Sequence, residues 1–90
     1  MKIPKKLKIG GHNIKVVLKP FWKGSDSEDG LFENCKNEIW IKAELSQSQK
    51  EVTLIHEILH VLNSTLNHVV LDSLSEQLYR VLKDNKSLRP

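Results

Sequence analysis

The stretch SQSQKEVTLIHEILHVLN, residues 46–63, decides how this chain is read. Ser46 precedes a helical pattern and Gln49 follows three residues later, the two halves of a capping box. A helix over about residues 47–62 places His56 and His60 about 40° apart in direction and about 6 Å apart in rise, so both rings reach one face. Glu57 projects about 60° further round than His60. With His56 at 0°, Val52, Ile55, Leu59 and Leu62 fall between about −40° and −120°. Leu54, Ile58 and Val61 fall between about 140° and 200°, and Thr53, His56, Glu57, His60 and Ser64 fill about 0° to 100°. A helix apolar on two sides is buried on two sides, so its one polar stripe is expected to line a cleft. Two imidazoles at this spacing ligate zinc in His-Glu-x-x-His helices, with the intervening glutamate as general base of peptide hydrolysis. That pattern makes His56 and His60 candidate metal ligands and Glu57 a candidate catalytic base.

A catalytic zinc takes three protein ligands and keeps one open position. A second helix is expected over about residues 68–83, with Leu71, Leu74, Leu78 and Leu82 as its apolar stripe. Residues 63–67, rich in cap-forming side chains, separate it from the first helix. With Leu71 at 0°, His68 lies near about 60° and Asp72 near about 100°, at the edge of that stripe, while Glu76, near about 140°, faces solvent. His68 is the favoured third ligand. Asp72 is an alternative ligand, or a carboxylate that orients one. Tyr79 lies on the same edge, where it is read as a packing residue rather than an oxyanion donor.

Upstream of the first helix the pattern is that of strands, within about residues 6–42. Leu7, Ile9, Ile14 and Val16 alternate loosely around Gly10-Gly11, a hairpin signal. Pro20 ends the second strand, and Phe21 and Trp22 are expected to cover one end of the core. Residues 23–30 form a polar, glycine-bounded loop. Its Asp26, Glu28 and Asp29 lack the later bidentate glutamate of a calcium loop. Leu31 to Asn34 and Glu38 to Lys42 read as two further strands across a turn at Lys36-Asn37, with Ile39 and Ile41 on one face and Trp40 on the other. The expected class is therefore α+β: a small antiparallel or mixed sheet of three or four strands followed by two C-terminal helices, in one domain spanning residues 1–90.

Composition sets the remaining bounds. At 39% hydrophobic and 28% charged the chain reads as an ordinary soluble globular protein, and its small size implies a thin core that a metal would reinforce. The net charge of +3 is concentrated at Lys5, Lys6 and Lys8. No basic stripe alternates with aromatics, so no nucleic-acid partner is expected. Cys35 is the single cysteine; it reads as a half-buried strand residue, and its solitude predicts a reduced, cytoplasmic setting. No apolar run long enough to span a bilayer is present, so no membrane partner is expected. Asn63-Ser64-Thr65 matches a glycosylation sequon, which carries no weight without a secretory signal.

Taken together, the hairpin, NEIWIKAEL (residues 37–45, read as an edge strand), the first helix and LDSLSEQLYRVLKDN (residues 71–85) resemble the small zincin-like metallopeptidases of bacterial prophages and mobile elements, distant relatives of the ImmA/IrrE-type and SprT-like peptidases. The similarity covers nearly the whole chain. It implies a minimal zincin-like fold, a bound Zn2+ and hydrolysis of a peptide or protein substrate. In the ImmA/IrrE type an acidic third ligand opens the later helix, seven residues before a small residue that follows an apolar one. Leu74-Ser75 resembles that pair, and counting back seven from Ser75 reaches His68, where the pattern has glutamate. An extended peptide is expected to lie along the strand near Ile39–Ile41 by β-augmentation. A catalytically silent, zinc-stabilised binding or regulatory module of phage origin is the alternative, and a plain helical interaction protein without metal is a third reading.

Overall fold

The two glycines at 10 and 11 adopt φ of 57° and 84° and close a two-residue hairpin between β1 (Lys6–Ile9) and β2 (His12–Lys19). Left-handed φ at both central residues matches the right-handed twist of the flanking strands, and glycine takes it without a Cβ penalty. The computed structural model describes residues 2–20 and 29–88. Phe21, Trp22, Asp26 and Glu28 lie outside the described residues.

β3 (Gly30–Glu33) and β4 (Glu38–Lys42) form a second hairpin, turned at Asn37, whose φ is 52°. The strand order is β1-β2-β4-β3, with β2 and β4 parallel and the other neighbours antiparallel, so the sheet is mixed and four-stranded. This corrects the placing of β4 at an edge: it is interior, hydrogen-bonded on both sides, and among the described residues the free edge on its side of the sheet is β3. The two hairpins could be recognised locally, whereas the pairing that joins them links residues 15–19 to 38–42 and leaves no local signature.

Ile14 and Val16 of β2 and Ile39 and Ile41 of β4 share one face and are buried with Leu54. Leu7, Ile9, Phe32, Ile58 and Val61 pack around them. Trp40 points to the opposite face, where the Lys19 ammonium lies 3.4 Å from its ring centroid and its Nε1–H donates to Glu38 Oε1 at 2.9 Å. Cys35 is exposed in the β3–β4 turn rather than half-buried in a strand. Its amide donates to Glu33 Oε1, because four residues between the strands leave it outside the ladder.

Helix α1 (Gln47–Leu62) starts at Ser46, and the capping box forms as the sequence predicts. Helix α2 (His68–Asp84) starts at Asn67, whose side chain accepts from the Val70 amide at 2.9 Å. α1 lies on the sheet against β3 and β4, and α2 packs on α1. α2 does not bury the expected stripe. Its buried residues are Leu71, Ser75 and Tyr79, while Leu74 and Leu78 are exposed together with Val70 and Val81. The inner face is thus rotated by about 50° from the leucine stripe towards the polar side of the helix. Ser75 explains the rotation. It is wholly buried, its hydroxyl satisfied by the Leu71 carbonyl at 2.5 Å, and a small residue there lets the two helices approach.

Candidate functional site

The polar stripe of α1 lines a cleft of about 780 Å³. Thr53, His56, Glu57, His60 and Ser64 form its floor, Gly30, Leu31 and Phe32 of β3 one wall, and His68, Asp72, Ser75 and Glu76 of α2 the other. Every residue proposed from the sequence as a ligand or base therefore reaches one cavity. Glu76 belongs to that rim although it is exposed; the rotation of α2 brings it round from open solvent.

Three imidazoles face one another here. Ring centroids lie 6.2 Å apart for His56 and His60, 5.7 Å for His56 and His68, and 5.6 Å for His60 and His68. Rings bound tetrahedrally to one zinc through nitrogens at 2.0–2.1 Å stand about 5 Å apart, so these are gathered at slightly wider spacing. As placed, no group of three or more His, Cys, Asp or Glu side chains among the described residues has geometry that could hold a metal ion. In kind the donors still fit a divalent transition metal, which takes neutral imidazole and carboxylate readily.

Asp72 makes the fit more specific. Its Oδ1 lies 3.1 Å from Nδ1 of His56, across the gap between the helices. A ring that donates from Nδ1 keeps the lone pair of Nε2 for another partner, and metal-bound imidazoles are oriented by carboxylates in this way. Between the two roles left open for Asp72, this contact favours orientation over ligation. Burial holds the His56 pKa below its ordinary 6.5; the Asp72 carboxylate opposes that shift, and His68 and His60 reinforce it. His56 is thus kept neutral near pH 7, the form a metal requires.

Glu57 is buried, with 4% of its surface exposed, and its Oε1 lies 4.0 Å from Nδ1 of His60. Its other oxygen, Oε2, faces β3 at Gly30. The Lys42 amide donates to the Asp29 carbonyl at 3.0 Å. By the alternation of an antiparallel ladder, the backbone groups of Gly30 and Phe32 then point to the free edge and those of Leu31 and Glu33 to β4. In the sequence Gly30 reads only as a loop boundary; the signal of its role is a glycine on the first residue of a strand. Tyr79 does not line the cleft. It is buried and hydrogen-bonds the carboxylate of Glu51 on the inner side of the helix pair. His12 is an exposed strand residue beside the first turn.

The sequence model of the IrrE N-terminal-like domain, Peptidase_M78, matches residues 9–81. The chain belongs to the Peptidase_M78 family. No curated protein and no solved structure matches it. The Peptidase_M78 match runs from the last residue of β1 to Val81 near the end of α2, and so includes every residue that lines the cleft. It supports a metallopeptidase-like function, and Peptidase_M78 members are normally zinc-dependent. Among the described residues, no helix is long and apolar enough to cross a membrane.

Proposed function

We propose that this chain is a zinc-dependent metallopeptidase in which His56, His60 and His68 hold the metal, Asp72 orients His56 and Glu57 is the general base. The observation that carries the reading is the meeting of three imidazoles and a buried glutamate in a cleft walled by a free strand edge. When bound there, zinc would supply Lewis-acid polarisation of a carbonyl and make water a better nucleophile near neutral pH. The carboxylate of Glu57 accepts a proton from the attacking water as its oxygen bonds to the scissile carbonyl carbon. It then returns that proton to the leaving nitrogen as the C–N bond breaks. An extended peptide adds to the edge of β3, where Gly30 and Phe32 offer their N–H and C=O groups, rather than to the interior Ile39–Ile41 segment. The proposed setting is the cytoplasm, and the substrates are peptides or proteins; neither nucleic acid nor membrane is part of the proposal.

The test is a Glu57→Gln variant assayed on an unfolded protein substrate. It should bind zinc like the unmodified chain and cleave at least about a hundredfold more slowly. Unchanged turnover would remove Glu57 from the base role.

One observation favours a second reading, a catalytically silent, zinc-stabilised binding module of phage origin. The outer side of α2 exposes Val70, Leu74, Leu78 and Val81, an apolar row of the kind a partner covers. A large drop in melting temperature on chelation, with no cleavage of any substrate, would select it over the enzyme.

A further inference from the structure

Gly30 does not have left-handed φ; among the described glycines only Gly10 and Gly11 do. The backbone there would accept any L-residue, and a glycine weakens a strand. What demands glycine is space. A Cβ at this position would stand 2.5 Å from Thr53 Cγ2, 3.0 Å from the Trp40 carbonyl oxygen and 3.4 Å from Glu57 Oε2. None of the three yields easily. Thr53 and Glu57 are buried on α1, at 8% and 4% exposure, and the carbonyl belongs to the backbone of interior strand β4.

We infer that Gly30 is a positioning residue: its missing side chain seats the free edge of the sheet against α1, and so holds a peptide on that edge over Glu57. The inference rests on the peptidase reading for its catalytic consequence. The Cα side of Gly30 faces Thr53 and Glu57, while its N–H and C=O face the free edge, so one residue spaces the substrate strand from the base. A single added methyl must lift the start of β3 away from α1. Displacements of about 1 Å at a reacting centre cost on the order of a hundredfold in rate. The metal-binding side chains lie on α1 and α2 and are not displaced by this movement.

The experiment compares the unmodified chain with Gly30→Ala, Thr53→Ser and the double variant, because serine removes the methyl that the new Cβ meets. Zinc content, turnover of an unfolded protein substrate and NMR contacts between residue 30 and the side chains of Thr53 and Glu57 are measured on all four. Gly30→Ala is expected to keep its zinc, lose about a hundredfold in kcat with little change in KM, and weaken the contact from residue 30 to Glu57. The double variant is expected to recover about tenfold and regain that contact. If the unmodified chain cleaves nothing, the peptidase reading fails by itself and the positioning claim is decided by the contacts alone. Gly30→Ala with unchanged kcat or unchanged contacts overturns it, as does zinc loss in step with activity. Should Gly30→Ala not fold, the double variant carries the test, and its failure to restore the fold overturns the role given to Thr53.

Discussion

Oδ1 of Asp72 on α2 lies 3.1 Å from Nδ1 of His56 on α1, joining the two helices at the cleft. The contact crosses from one candidate metal-binding helix to the other, so it ties ring orientation to helix packing. Removing it by Asp72→Ala is expected to lower zinc affinity about 10- to 100-fold. Asp72→Asn retains an acceptor oxygen and should lose less. Competition against a chromophoric chelator measures both; equal affinity in Asp72→Ala and the unmodified chain would deny Asp72 an orienting role.

His68 opens α2 with its ring 5.6 Å from that of His60 and 5.7 Å from that of His56. Glu76 shares the rim two turns further on. Zinc binding should therefore collapse in His68→Ala and survive in Glu76→Gln. The reverse pattern, read by the same competition assay, would transfer the third ligand to Glu76.

Acid should destabilise the metal-free protein in two stages. His56 is held below its ordinary 6.5, chiefly by burial. Between that value and its folded-state pKa, the unfolded chain binds a proton that the folded chain does not. The corresponding stability is present above pH 6.5 and is lost as pH falls through the folded value. Burial pushes Glu51 upward, but hydrogen bonds from Gln47 and Tyr79 lead the opposing influences and its pKa ends below 4.5. Its contribution is therefore lost later, below pH 4.5. Urea midpoints taken from neutral to acid pH should fall in these steps, with His56→Gln flattening the first and Glu51→Gln the second. A midpoint that rises on acidification through 6.5 would contradict the burial assigned to His56.

The core is small enough for one side chain to matter. Ile39 is 0% exposed at the centre of the sheet–helix contact, whereas Val69 is 80% exposed. Ile39→Ala should cost about 2–5 kcal/mol, a fall in Tm of roughly 10 °C or more for a domain of this size. Val69→Ala should stay within about 0.5 kcal/mol. Calorimetry on the pair checks the packing directly, and similar Tm values would show that the Ile14–Val16–Ile39–Ile41–Leu54 cluster is not the stabilising core.

Much of this architecture is legible in local chemistry. Ser46 and Gln49 mark where α1 begins, Gly10 and Gly11 mark a two-residue turn, and the alternation of Ile39, Trp40 and Ile41 assigns the two faces of β4. The polar stripe of α1 likewise announces the floor of the cleft. The features that local sequence does not encode depend on contacts distant in sequence. The parallel pairing of β2 with β4 decides that β3, not β4, is the free edge among the described residues. Hydrophobic periodicity pointed α2 inward along Leu74 and Leu78, but the small Ser75 and the hydrogen-bonded Tyr79 pack there instead. A turn at Lys36-Asn37 alone would leave Cys35 in a strand, but the strands end at Glu33 and resume at Glu38.

Because β2 and β4 run in the same direction, the chain must travel back along the sheet before it can lay down the second of them, and β3 lies within that return segment. The cleft wall proposed to hold a peptide is therefore encoded separately from the helices that bear the imidazoles. Under the proposed reading, substitutions within β3 other than at Gly30 would reshape which sequences are accepted while leaving residues 56, 60 and 68 in place. Directed diversification confined to those positions of β3 would then be a route to new selectivities of the proposed peptidase.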